Sequence, residues 1–292
     1  MLKSSKYLIV TPVRDEAQYI EKTAKSVVAQ TILPSEWIIV DDGSTDGTDK
    51  ILDEYSSRFS WIKVVHRGNR GYRAAGGGVI EAFYEGYCVM SDTSFEFIVK
   101  LDGDLSFEKD YFEKCLAHFE SEPDLGIAGG TVCMLENNEL KVDSISDPPF
   151  HVRGATKIYR RECWEKISPL VKAPGWDTID EVKANLHGWT TRTFADIRLT
   201  QHKATGGADG CWRNWFKNGQ ANYITGYHPI FMLAKCFKRA FQKPFFIESA
   251  ALWWGFCSGY LKGMPQLQDT DAIRYLRRQQ IRRLLMRHSI YG

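Results

Sequence analysis

E-W-I-I-V-D-D-G-S-T-D-G-T, residues 36–48, is an apolar run that delivers two adjacent aspartates into a turn. A short apolar run bounded by turn residues reads as a buried strand. Gly43, Ser44 and Gly47 supply the turn, and Ser44, Thr45 and Asp46 are each able to cap a helix starting near Gly47. Strand, acid turn, helix is the repeating unit of a doubly wound α/β sheet, which binds ligands at the carboxyl ends of its strands. Asp41 and Asp42 therefore stand where a nucleotide base or ribose could be hydrogen-bonded. Alone, the stretch is equally a capped turn.

A second strand removes that ambiguity. F-E-F-I-V-K-L, residues 95–101, ends in Asp102-Gly103-Asp104. Two carboxylates on one turn, separated by a small residue, suit a hard divalent cation that keeps several waters and grips phosphate oxygens. Strands expected near 7–13, 36–41, 61–66, 95–101, 126–134 and 192–199 alternate with helices near 15–30, 46–58, 74–90, 108–121 and 178–187. The expected fold is α/β, a Rossmann-like, mostly parallel mixed sheet flanked by helices, with a C-terminal helical extension.

In these features the chain resembles the family 2 glycosyltransferases, whose fold is called GT-A. The T-P-x-x-N-E pattern of that family is matched by Thr11-Pro12-Val13-Arg14-Asp15-Glu16, with Asp15 in the usual Asn place. Asp41–Thr48 is the second matched element, and Asn69-Arg70-Gly71-Tyr72-Arg73-Ala74-Ala75 is the third, without the Asn that usually follows. Asp102-Gly103-Asp104 is the fourth. The resemblance implies a nucleotide-sugar donor contacted by Thr11, Pro12, Arg14, Glu16, Asp41, Asp42, Asn69, Arg73 and Asp102. It also implies a divalent metal, Mg²⁺ or Mn²⁺, on Asp102 and Asp104, with His202 as a further ligand and Lys203 beside the leaving diphosphate. Arg14, Arg70 and Arg73 lie in loops where a guanidinium pairs with phosphate or stacks on a base. Gly76-Gly77-Gly78 lacks the lysine-serine pair of a P-loop, which argues against a kinase or ATPase.

Inverting transfer needs a base to activate the acceptor hydroxyl. The family places an acidic pair at the start of a helix, and here G-W-D-T-I-D-E, residues 175–181, holds Asp177, Asp180 and Glu181. Matching the pair directly selects Asp180 or Glu181, with Asp180 preferred for its place in the first helical turn. Holding the spacing to Gly188-Trp189 selects Asp177. The bland alternative is that all three acids complement the helix N-terminus, at about 0.3–1 kcal/mol each.

The 292 residues, 43% hydrophobic, are enough for a large core. The seven cysteines form no C-x-x-C pair, so reduced core thiols are expected instead of disulfides or a zinc site. The N-terminus passes almost directly into the first strand, so a cytoplasmic chain without a signal peptide is expected. Two units are expected, a transferase domain over 1–227 and a helical, membrane-associated segment over 228–292. Within the second, residues 245–261 carry one charge, Glu248, but fall short of the roughly 20 residues that span a bilayer. Either an interfacial helix or a buried one fits. Residues 272–292 hold six arginines and no acid, leaving 32 basic against 36 acidic residues elsewhere. An anionic membrane attracts such a tail at about 1 kcal/mol per charge. No aromatic platform interleaves with the arginines, so nucleic acid is not an expected partner.

The expected activity is inverting transfer of a sugar from a nucleotide-sugar donor to a hydroxyl of a lipid-linked or glycan acceptor, peripherally at the inner face of the membrane. The alternatives are a nucleotidyltransferase using the same cleft and a non-catalytic nucleotide-sugar-binding scaffold.

Overall fold

The computed structural model describes residues 6–69, 71, 76–136, 139–144, 147–203 and 210–292. Strands β1 (Tyr7–Val13), β2 (Glu36–Asp41), β3 (Ile62–His66) and β4 (Phe97–Leu101) lie in parallel in the order 3-2-1-4. Their connections carry helices α1 (Ile20–Val28), α2 (Thr48–Arg58) and α3 (Gly77–Cys88). Both faces are covered, which is why the inner strands β1, β2 and β4 are buried along their whole length, whereas the edge strand β3 is only partly buried. Tyr7, Ile9, Trp37 and Val99 point into one layer with α1 and α2, while Leu8, Val10 and Ile98 meet Ile80 and Phe83 of α3 on the other.

The expected helix from residue 15 starts at Ile20 instead. Asp15 has a φ of 53°, a left-handed conformation that a right-handed helix excludes and that Asp and Asn tolerate best after glycine.

The second half contains β5 (Leu105–Phe107), α4 (Tyr111–Ser121), β6 (Leu125–Glu136), β7 (Glu139–Val142), β8 (Thr156–Arg160), α5 (Arg161–Ile167), α6 (Trp176–Leu186) and β9 (Thr190–Gln201). The sheet continues β4-β8-β6-β9-β5, with β7 paired to β6. Strands β8, β5 and β7 run against the other six. This is the expected mostly parallel mixed sheet. The sequence pattern missed β8, a central strand, because two of its five residues are basic.

Four helices complete the chain: α7 (Gly210–Ile224), α8 (Pro229–Ala240), α9 (Ile247–Leu261) and α10 (Thr270–Leu284). Helix α9 lies so close to α7 that a Cβ at Gly255 would fall 2.0 Å from the Phe216 carbonyl oxygen. Its buried side packs chiefly on α7 and α8. No described helix is long and apolar enough to cross a membrane. Arg277, an interruption of the apolar face of α10, donates from Nε to the Gly226 carbonyl at 2.7 Å.

Candidate active site

The loops after β1 and β2 are stitched together by backbone-to-side-chain bonds. The Asp15 amide donates to Ser44 Oγ at 2.9 Å, and Asp15 Oδ1 accepts from the Thr45 amide at 2.9 Å. The Glu16 amide donates to Thr48 Oγ1 at 2.9 Å and the Ala17 amide to Asp46 Oδ2 at 3.0 Å. Thr11 is fully buried, its hydroxyl accepting from the Trp37 indole at 2.8 Å, and Pro12 lies opposite Val40 in the sheet. These two residues fix the strand that carries Arg14 and Glu16.

Asp41 and Asp42 are held by partners that sequence spacing did not reveal. His66 stands opposite Asp41 in the β2–β3 register and its Nδ1 lies 3.1 Å from Asp41 Oδ2, with Nε2 3.0 Å from Asp53. Burial opposes the imidazolium, but the two carboxylates prevail and raise its pKa. Arg67 donates to Asp42 Oδ1 at 2.6 Å and pairs with Glu85 at 2.7 Å. Arg14 donates to Asn69 Oδ1 at 3.0 Å and lies 3.9 Å from Asp42. Gly43, at a φ of 74°, lets the Asn69 backbone approach; a Cβ there would meet Asn69 Cα at 2.5 Å. Arg14, Asp42 and Asn69 thus converge, whereas Arg70 and Arg73 lie outside the described residues.

Next along the same strand ends come Asp102 and Asp104. The glycine between them is required, since a Cβ at Gly103 would lie 2.6 Å from Val13 Cγ1. Asp102 is ion-paired with Lys100, a nearly wholly buried lysine that also donates to the Gly154 carbonyl at 2.5 Å. Asp104 is buried, accepting from Gln201 Nε2 at 3.1 Å. Burial, then the negative charges of Asp102 and Glu16, push its pKa up to about 7. Two carboxylates on one turn are donors a hard divalent cation accepts, and a cation would relieve their repulsion, but among the described residues no three His, Cys, Asp or Glu side chains are gathered as a metal cage. His202 is brought alongside, its amide donating to the Asp104 carbonyl at 2.9 Å. Its ring is engaged, Nε2 lying 2.9 Å from Ser106 Oγ and Nδ1 3.4 Å from Lys22 Nζ. Burial and Lys22 lower its pKa, which favours the neutral, ligand-competent form. Lys203 donates to Glu16 at 2.7 Å, tying the end of β9 to the first loop.

The three acids of α6 separate sharply. Lys157 of β8, fully buried, donates to Asp180 Oδ1 at 2.8 Å and to Glu181 Oε1 at 2.7 Å. Tyr159 donates to Asp180 at 2.6 Å; Glu181 accepts from the Val152 amide at 2.6 Å and sits 3.0 Å from His151 Nδ1. Both carboxylates are sealed from solvent, and burial pushes Asp180 up to about 7 against the pull of Lys157. Asp177 is only half-buried, with its carboxylate against Gly154: a Cβ added there would lie 3.3 Å from Oδ2. Gly154 is also the residue whose carbonyl holds Lys100. Trp176 lies 5.4 Å from both Lys100 and Lys157, bridging the Asp102 turn to α6. Lys157, Tyr159, His66 and His151 escaped sequence reasoning because their partners are remote in the chain, and Lys100 because it sits inside an apolar strand; a buried-strand reading of T-K-I-Y-R would have pointed to Lys157 and Tyr159.

Residues 8–167 match the sequence profile described as Glycosyl transferase family 2. An uncharacterised glycosyltransferase of Mycoplasma genitalium is 28% identical over 172 residues, 58% of this chain and 53% of its own. The putative glycosyltransferase EpsH of Bacillus subtilis is 34% identical over 119 residues, 41% of this chain and 32% of its own. The chain thus spans about half, or less, of these relatives' length. Among solved structures, the mannosyltransferase of Pyrobaculum calidifontis in complex with GDP-Man and Mn²⁺ superposes with a TM-score of 0.58 at 17% identity, covering 99% of this chain and 77% of that one. S. aureus TarS in complex with UDP-GlcNAc gives 0.54 at 14% identity, over 93% and 79%. At these identities the likeness is one of fold.

Proposed function

This chain belongs to glycosyl transferase family 2, and from that premise we propose that it moves a hexosyl group from a nucleoside diphosphate sugar to a hydroxyl of a lipid-linked or glycan acceptor, with inversion. The observation that carries the reading is the meeting of Asp42 with Arg14 and Asn69, of Asp102 with Asp104, and of Asp177 beside Gly154 along one end of the sheet.

In this reading Asp41 and Asp42 hold the base and ribose, positioned by His66 and Arg67, and Asp102 reaches the ribose from its ion pair with Lys100. Asp102 and Asp104 would hold a divalent ion, with His202 beside them. When bound, that ion neutralises the diphosphate. Asp177 is the base: its carboxylate takes the proton of the acceptor hydroxyl as that oxygen bonds to the anomeric carbon. The bond from that carbon to the diphosphate oxygen breaks, and the nucleoside diphosphate leaves with the electron pair. Partial exposure, proximity to the Lys100–Asp102 turn and the spacing to Gly188-Trp189 all support Asp177. Asp180 and Glu181, already bonded to Lys157, Tyr159, His151 and a backbone amide, act as the frame that sets the start of α6. Residues 1–227 form the transferase unit, and residues 228–292 hold it at the cytoplasmic face of a membrane.

The test is a thermal-shift panel of nucleoside diphosphates with and without Mn²⁺, followed by turnover of the sugar donor that binds. Stabilisation by one nucleotide that grows with metal, and release of that nucleoside diphosphate, is the expected outcome. In Asp104→Asn the metal-dependent increment should vanish while the ligand-free midpoint does not fall; a retained increment would sink the metal assignment. Release of pyrophosphate instead would make the chain a nucleotidyltransferase.

A further inference from the structure

Twelve of the eighteen large apolar side chains exposed among the described residues fall in residues 228–292, under a quarter of the chain. Four of them, Ile230, Leu233 and Phe237 on α8 and Phe241 at its C-cap, are between 56% and 68% exposed. At 3.6 residues per turn they share an arc of about 80°. Met232 and Cys236, turned away from this arc, are buried in the cluster that α8 forms with α9. The Phe237 and Phe241 rings meet edge-on at 5.1 Å. Helix α9 repeats the arrangement with Ile247, Trp254 and Leu261 exposed.

Between the two helices Phe245 and Phe246 are also exposed, and Phe246 adopts a φ of 63°, costly for a bulky side chain. Neighbouring bonds fold α8 and α9 into a hairpin: Arg239 pairs with Glu248, and Ser249 Oγ donates to the Cys236 carbonyl at 2.7 Å. The apolar face is therefore built into a packed unit. A contiguous exposed face of this kind marks an interaction site.

Charge identifies the partner. Residues 228–292 hold eleven basic and three acidic residues, a net of +8, which leaves −6 on residues 1–227. Helix α8 contains no acid, and Lys238 and Lys243 are exposed beside the phenylalanines. A second copy of the chain would bring this positive segment against itself, whereas anionic headgroups complement it.

We propose that the outer face of the α8–α9 hairpin rests on an anionic lipid bilayer, with Phe237 and Phe241 at the acyl boundary and Lys238 and Lys243 among the headgroups. An interfacial helix with an apolar face and lysines at its margin binds in this way without crossing the bilayer. The inference rests on the peripheral position proposed above and moves the main contact from residues 245–261 and the arginine tail to α8.

Flotation of the full chain, without donor, on phosphatidylcholine vesicles with and without phosphatidylglycerol tests it. Wild type should float only with phosphatidylglycerol and lose binding as salt rises, and Phe237→Ser/Phe241→Ser should bind at least about tenfold more weakly. Lys238→Glu/Lys243→Glu, at exposed positions that leave packing intact, should weaken binding too and guards against misfolding of the first variant. Undiminished binding by both variants would overturn this surface while leaving a membrane position standing. Wild type that ignores all vesicles, or that sediments as a dimer disrupted by the Phe237/Phe241 changes, would overturn the lipid assignment. The nucleotide thermal shift, read on the same preparations, reports the donor site separately.

Discussion

One buried cation, Lys157, lies between two buried carboxylates, and the shortfall of positive charge shapes how Asp180 and Asp177 should behave on substitution. The folded chain holds a proton on Asp180 up to about pH 7, against an ordinary value of 3.8. Its contribution to stability is thus complete below pH 3.8 and is lost as pH rises toward 7, at no more than about 1.4 kcal/mol per pH unit. Asp180→Asn removes that titration, so the difference in Tm between wild type and variant should drift against wild type as pH rises through this window. A difference that stays constant would mean that Asp180 is ionised throughout. Asp177→Asn should leave Tm and nucleotide binding unchanged but lower kcat by about 10²- to 10⁴-fold; a kcat within a few-fold of wild type would return the role of base to another acid. The sequence could nominate these three acids but not rank them, because their ranking depends on Lys157 and Gly154, remote in the chain. For the same reason Asp41 was legible and its partner His66 was not.

At the scale of elements, close approach sets the limits. Gly103→Ala would drive a methyl group into Val13 and should cost about 1–3 kcal/mol, displacing both flanking aspartates. Denaturant midpoints should show the loss, and the metal-dependent thermal increment should shrink with it. Gly255→Ala presses on the Phe216 carbonyl at the α7–α9 contact, and a comparable loss is expected in the denaturant midpoint without any change in the metal increment. Similar stability losses with different ligand responses would separate the two ends of the molecule. The parallel strands were legible because both of their faces are apolar. Strand β8 was not, since an apolar pattern cannot anticipate that Lys157 turns inward to meet acids on α6. The last quarter read as helical from its composition, but its packing did not, because Gly219, Gly255 and Gly259 signal close contact only once the facing helix is known.

On the scale of the whole molecule, the split between a negative body and a positive C-terminal segment was readable by counting, whereas the order of the sheet was not. That order places β8 between β4 and β6, so the edge of β4 is paired only by residues far downstream. A chain stopped before Thr156 would expose an uncovered apolar edge and should be recovered as aggregate, while the full chain remains in the supernatant after centrifugation; a soluble, monodisperse fragment would contradict this.

The same crossing imposes a wait during synthesis. The ribosome completes β4 at Leu101 and must add 55 more residues before Thr156 exists to cover it. At about 5–20 residues per second, the nascent chain carries an open, largely apolar strand with an unpaired edge for roughly three to eleven seconds, long enough to make it a client for chaperones before it is folded.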